Sequence, residues 1–217
     1  MIPKTPIIWV EGIIASGKTT LSRLLSEMMD FHCLEEPVET NPYLGAFYKD
    51  PKKYAFGLQL FMLHTRYAMK QEAAFAAARG AHKGIVLDRS IAGDRVFAKH
   101  HMEAGNIDPL DFQCYEYCYQ MMARSILPPT VIIYINVQAE TAFERMKRRN
   151  RSEEVNVSIE YLEALKKGYE ELLSEIRHGL VPWSHSVYVH ELLGDIDVIS
   201  DEAKAHLVQT VMDICER

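Results

Sequence analysis

Cysteine is scarce in this chain. There are four in 217 residues (Cys33, Cys114, Cys118 and Cys215), with no C-x-x-C pair and no spacing that suits a zinc site. Cys114 and Cys118 stand one helical turn apart, a spacing that packing explains without a disulfide. This excludes a disulfide scaffold and fits a reduced, cytoplasmic setting. Long apolar runs are missing too. The longest, such as VIIYINV from position 131, are far too short to span a bilayer, so no membrane association is expected. The N-terminus shows no basic segment followed by an apolar run, and no signal peptide is expected. Positive charge is not in excess: 24 Lys plus Arg stand against 30 Asp plus Glu, a formal charge of -6. That argues against binding polymeric nucleic acid, which favours a basic face. Repeats, low-complexity tracts and linkers are absent, and the nine histidines form no ligand-like cluster. One domain covering 1–217, with a sizeable core, is the expectation.

What is present alternates. Short apolar runs at 6–11, 32–37, 84–90, 130–137 and 186–191 read as strands. Between and after them, helical patterns cover 19–29, 52–78, 91–104, 110–126, the stretch up to Arg149, 158–177 and 201–216. Alternation of this kind predicts an α/β fold: a five-stranded parallel sheet with helices on both faces, three layers in all.

The first strand runs into EGIIASGKTT at 11–20, a glycine, four residues, then Gly-Lys-Thr. Gly12 and Gly17 let the backbone wrap around phosphates, so that the N–H groups of Ile13, Ile14, Ala15, Ser16 and Thr20 can point inward. Lys18 would reach the β- and γ-phosphates, and the Thr19 hydroxyl can ligate Mg²⁺. A strand before the pattern and a helix after it are the context that a P-loop requires. The loop implies nucleotide binding, with ATP as the natural donor. It does not by itself imply transfer.

Acceptor chemistry must come from the other strand ends. The second strand leads to Glu35-Glu36-Pro37-Val38 and the third ends in Asp88-Arg89-Ser90. A carboxylate facing a γ-phosphate can take the proton of an acceptor hydroxyl, and a second can hold a metal. Solvated strand ends would look the same.

Taken together, EGIIASGKTT, EEPVETNPYL, FYKDPKKYAFGLQ, DRS and KRRNRSEE resemble the deoxynucleoside kinase family, in order, over about residues 6–175. The resemblance implies a P-loop kinase fold with an Arg-rich lid at about 145–157. It implies that Glu36 is the base for a nucleoside 5'-hydroxyl, and that Arg89 holds that hydroxyl and the moving phosphoryl group. Asp88 would help place Mg²⁺. Arg145, Arg149 and Arg151 match the lid arginines, although a solvated basic helix end has the same pattern. Tyr48 and Glu154 match the contacts to the 3'-hydroxyl.

For the base, the family points to Gln59, Arg66 and Asp94, the last two typical of the branch that takes cytosine and purines. Projected on a helix, Gln59, Arg66 and Lys70 share one narrow polar sector, which periodicity alone would turn to water. Three positions depart from the pattern: Asn41 replaces a frequent Trp, Leu58 replaces a frequent Phe, and Met62 replaces something small. Phe97 is then a candidate to stack on the base. A purine deoxynucleoside is the expected substrate, with deoxycytidine as a further candidate.

Phe112, Tyr115, Tyr119 and Met122 make an apolar stripe at helical spacing, expected in the core and in part at a homodimer interface. The sequence leaves two rivals. A thymidylate-kinase-like enzyme would need a cation where Glu36 stands. A silent nucleotide-binding partner subunit should have lost Lys18, Glu36 or Arg89. A GTPase switch would carry Asn-Lys-x-Asp, which does not occur.

Overall fold

A computed structural model of the chain describes residues 5–35, 41–151, 154, 156–194 and 200–215. Five parallel strands form one sheet: β1 (Ile7–Glu11), β2 (His32–Leu34), β3 (Ile85–Asp88), β4 (Val131–Asn136) and β5 (Tyr188–Leu193), in the order β2-β3-β1-β4-β5. The expected five-stranded sheet is found. Two bounds differ. β2 is three residues long, and β5 begins after a 3-10 turn at Ser184–Ser186 that occupies the start of the expected strand.

Side chains of a strand alternate between its faces, and both faces here are apolar. Ile7 and Trp9 of β1 enter one core with Ile85 and Leu87 of β3 and Ile132 and Tyr134 of β4. Ile8 and Val10 enter the other with Val86, Ile133 and Ile135. The second core is closed by α1 (Lys18–Met29) and α8 (Asp201–Cys215). The first is closed by α3 (Pro51–Ala78), α4 (Ile91–Glu103), α5 (Pro109–Ser125), α6 (Ala139–Arg149) and α7 (Ile159–Arg177). Short α2 (Leu44–Lys49) packs its Phe47 against Ala55, Leu58 and Ile107 in a third, smaller cluster.

The chain leaves β1 toward β2 on one side and reaches β4 on the other. The loop after β1 therefore sits where the strand order reverses, the point at which such sheets bind ligands. Among the described residues, no helix is long and apolar enough to cross a membrane.

Candidate active site

The glycine loop joins β1 to α1. Gly17, the N-cap of α1, has φ 99°, a left-handed conformation that leaves the helix without a side-chain cap. The first amides of α1 are thus not covered by a capping side chain and can accept an anion. Gly12 is required for space: a Cβ there would lie 2.6 Å from Ser16 Oγ. Lys18 is folded over this loop, its Nζ donating to Ile13 O at 2.6 Å and to Ser16 Oγ at 3.4 Å. The ammonium is held where phosphates would replace neutral oxygens.

Thr19 Oγ1 donates to Asp88 Oδ2 at 2.5 Å. The pair brings the end of β3 to the start of α1. Asp88 is buried, and its Oδ1 has no hydrogen-bond partner among the described residues.

The three residues Asp88-Arg89-Ser90 divide the work of a sharp turn. Arg89 has φ 75°, uncommon for a residue with a side chain. Its amide donates to Val10 O at 3.0 Å, which ties the turn to β1. Ser90 caps α4, its Oγ accepting from Ala92 N at 3.1 Å. The Arg89 guanidinium lies over the Phe97 ring, 4.8 Å from its centroid, and donates to Tyr169 Oη at 3.2 Å. One face of Phe97, expected against the base, thus carries the arginine.

Glu36, expected as the base, lies outside the described residues. So do Ser152, Glu153 and Val155 of the lid. Glu35 is described and is engaged by Arg23, which donates from Nε and Nη2 at 2.7 Å each. Those hydrogen bonds hold the Glu35 carboxyl below its ordinary range.

The polar sector of α3 does not face water. Gln59, Arg66 and Lys70 are each 5% exposed, which corrects the expectation from periodicity. Arg66 Nη1 pairs with Asp94 Oδ1, in the first turn of α4. Lys70 is further along, its Nζ 3.1 Å from the centre of the Trp9 ring and without a hydrogen-bond acceptor among the described residues. Burial pushes its pKa well down. Trp9, a core residue of β1, is thus also the seat of a buried amine.

The departures at Asn41 and Met62 turn out to be neighbours: Asn41 Nδ2 lies 2.9 Å from Met62 Sδ. A small polar residue and a long thioether share space that the family often gives to an indole. Leu58 is buried in the same cluster. Tyr48 is half-buried and stacks edge-on against Phe47, at 5.1 Å. Behind Phe47 are His101 and Tyr161; burial, then the neighbouring His100, pushes the His101 pKa down to about 4.

The lid arginines divide. Arg145 reaches the phosphate loop, donating to Ser16 O at 3.2 Å. Arg149 donates to both oxygens of Glu154, at 2.6 and 2.8 Å, and Arg151 lies 3.8 Å from the same carboxylate. Glu154, expected at the sugar, is held by the lid itself.

Three buried polar groups were missed from the sequence: Glu11, Lys70 and Tyr169. Glu11 carried a signal, an acid ending an otherwise apolar strand. Lys70 stood in the polar sector. Tyr169 lies on the apolar face of α7 and carried none.

A family profile described as deoxynucleoside kinase matches residues 8–216. A deoxyadenosine kinase of Dictyostelium discoideum is 38% identical over 189 residues, 85% of this chain and 75% of its own. A deoxyadenosine/deoxycytidine kinase of Bacillus subtilis is 35% identical, over 80% of this chain and 79% of its own. Among solved structures, the deoxyadenosine kinase of M. mycoides with dCMP and dCDP bound superposes with TM-score 0.78 at 28% identity, over 95% of this chain and 98% of that one. The phosphate loop, the Asp-Arg-Ser turn and the buried Arg66–Asp94 pair thus stand in a chain that belongs to the deoxynucleoside kinase family, and the protein is a phosphotransferase acting on a deoxynucleoside.

Proposed function

We propose that this chain transfers the γ-phosphoryl group of ATP to the 5'-hydroxyl of a 2'-deoxynucleoside, with purine deoxynucleosides preferred. The chain works as one domain, with residues 145–157 as its lid. The observation that carries the base preference is the buried row on α3. Gln59 offers one donor and one acceptor to a base edge, the pairing that suits adenine. Arg66, held by Asp94, offers planar donors that suit guanine or cytosine. Thymine would set a methyl group against that charge. The names of the relatives, which include deoxyadenosine and deoxyguanosine kinases, support the same preference.

The reaction needs alignment and positive charge rather than covalent help. Lys18 and the loop amides hold the β- and γ-phosphates. Glu36 takes the proton of the 5'-hydroxyl as its oxygen attacks phosphorus. Arg89 and the lid arginines balance charge on the equatorial oxygens. Tyr48 and Glu154 hold the 3'-hydroxyl. Thr19 and Asp88 are adjacent hard oxygen donors, and the orphaned Asp88 Oδ1 fits a Mg²⁺ ion that arrives with ATP. Held there by Thr19 and Asp88, such an ion would supply positive charge to the phosphate oxygens.

The test is release of ADP with each natural deoxynucleoside and each 5'-monophosphate. Deoxyadenosine and deoxyguanosine should lead, deoxycytidine should follow, and thymidine and the monophosphates should be idle. Turnover of monophosphates alone would reject the acceptor.

We further propose a cytoplasmic homodimer. Tyr115 and Tyr119, from the stripe noted in the sequence, are fully buried and belong to the core. The opposite face of α5 is apolar and exposed: Leu110 (72%), Tyr117 (66%) and Met121 (69%), with Cys114 between them. These positions recur at helical spacing, as an interface between two copies would require. Met121→Asp should convert the dimer to a monomer in sedimentation. A wild-type chain that sediments as a monomer at micromolar concentration would remove the interface.

A further inference from the structure

The end of β1 carries a buried polar chain that the steps above do not use. Tyr169, in the middle of α7, is fully buried. Its hydroxyl donates to Glu11 Oε2 at 3.1 Å and accepts from Arg89 Nη1 at 3.2 Å. Burial, then the Glu11 carboxylate, holds its pKa well above the ordinary value, so the phenol keeps its proton and can serve both neighbours. The three side chains come from three elements that are far apart in sequence: β1, the turn after β3, and α7.

Space for this meeting depends on Gly93, one turn into α4. A Cβ there would stand 2.5 Å from Tyr169 Oη and 2.7 Å from Glu11 Oε2. Neither atom can retreat easily, because both are buried and hydrogen-bonded to each other.

The order of the groups matters. A carboxylate placed directly on Arg89 would compete with the phosphoryl oxygens for its charge. A neutral hydroxyl between them fixes the guanidinium without neutralising it. Glu11 also raises the affinity of the buried Lys70 amine for a proton, against the larger effect of burial. Arg89 is then held from two sides, by the phenol and by the Phe97 face. A guanidinium on a free stem has rotamer entropy to lose. Groups aimed before the reaction starts are worth more than groups that must reorganise.

We propose that Tyr169 and Glu11 are positioning residues that aim Arg89 at the transferring phosphoryl group, with Gly93 providing the clearance that lets them meet. The proposal rests on the assignment of Arg89 to the transferring group.

Tyr169→Phe keeps the ring and deletes the hydroxyl. It should lower kcat by about tenfold while the KM for the deoxynucleoside stays within about twofold, the pattern of a contact that matters only in the transition state. Its melting temperature should fall modestly, because the buried Glu11 carboxylate loses its phenol donor. Gly93→Ala should lower kcat by a similar factor, and by much less when introduced into Tyr169→Phe. In an Arg89→Ala background, Tyr169→Phe should have no further effect on kcat. An unchanged kcat in Tyr169→Phe overturns the proposal, as do strictly additive losses in either double variant, or a loss that follows melting temperature alone. The assignment of Arg89 is tested separately by Arg89→Ala: full activity there would remove the arginine from the reaction. A large loss there beside an unaffected Tyr169→Phe removes only the relay.

Discussion

Replacing Glu36 with glutamine lowers kcat by about 10²-fold or more, with little change in the KM for the deoxynucleoside. An amide has nearly the shape of the acid and still accepts a hydrogen bond from the 5'-hydroxyl, so substrate binding survives. It cannot take the proton. Glu36 follows Glu35 in sequence, and the substitution leaves both members of the Arg23–Glu35 ion pair in place. Steady-state kinetics would check the effect. Retention of full kcat would move the base elsewhere.

The second large effect is on stability as well as on choice of substrate. Asp94→Ala leaves the Arg66 guanidinium without its buried carboxylate; both residues are almost wholly buried, at 5% and 1% exposure. Removing one member of a buried pair costs about 3–5 kcal/mol, because the other charge stays desolvated. For a chain of this size that corresponds to a fall in melting temperature of roughly 10 °C. The double variant Arg66→Met/Asp94→Ala should regain most of that loss, since no buried charge remains. It should also lose discrimination against thymidine, whose methyl group then meets an apolar wall. Calorimetry reports the first effect and competition between deoxynucleosides the second. A double variant as unstable as Asp94→Ala, or one that still refuses thymidine, would show that the pair does not govern the base.

The two variants differ in what they disturb. The Glu36 variant tests the proposed proton transfer. Asp94 acts on the position of another side chain inside a packed region, so its loss is felt in both folding and recognition. The Tyr169 relay lies between these cases: it is buried like Asp94, and Tyr169→Phe takes the phenol donor from the buried Glu11 carboxylate, so some loss of stability is expected beside the loss of turnover.

Some of this was legible in advance because it depends on near neighbours. The phosphate loop needs glycines at fixed spacing between a strand and a helix, and Gly12, Gly17 and Lys18 are found in the conformations that spacing requires. Alternating strands and helices led directly to the parallel sheet. The start of α3 follows ordinary capping chemistry, with Pro51 at the first position and the Asp50 side chain accepting from Lys53 N.

Other features needed the folded chain. The polar sector of α3 has the same periodicity whether it faces water or a pocket; only the packing of α4 against it, with Asp94 opposite Arg66, makes it an interior surface. Strand β5 begins late because a short 3-10 turn takes its first residues, a choice made by local hydrogen bonds rather than by hydrophobic pattern.

Sequence by itself determined the class of fold, the place of the glycine loop between β1 and α1 and the family, since each rests on residues close together or on blocks in a fixed order. Tertiary structure alone decided which buried groups meet: Asn41 with Met62, Lys70 with Trp9, and Glu11 with Tyr169 and Arg89. Such contacts join positions up to 158 residues apart. Their energies depend on burial and direction, which a linear pattern does not carry.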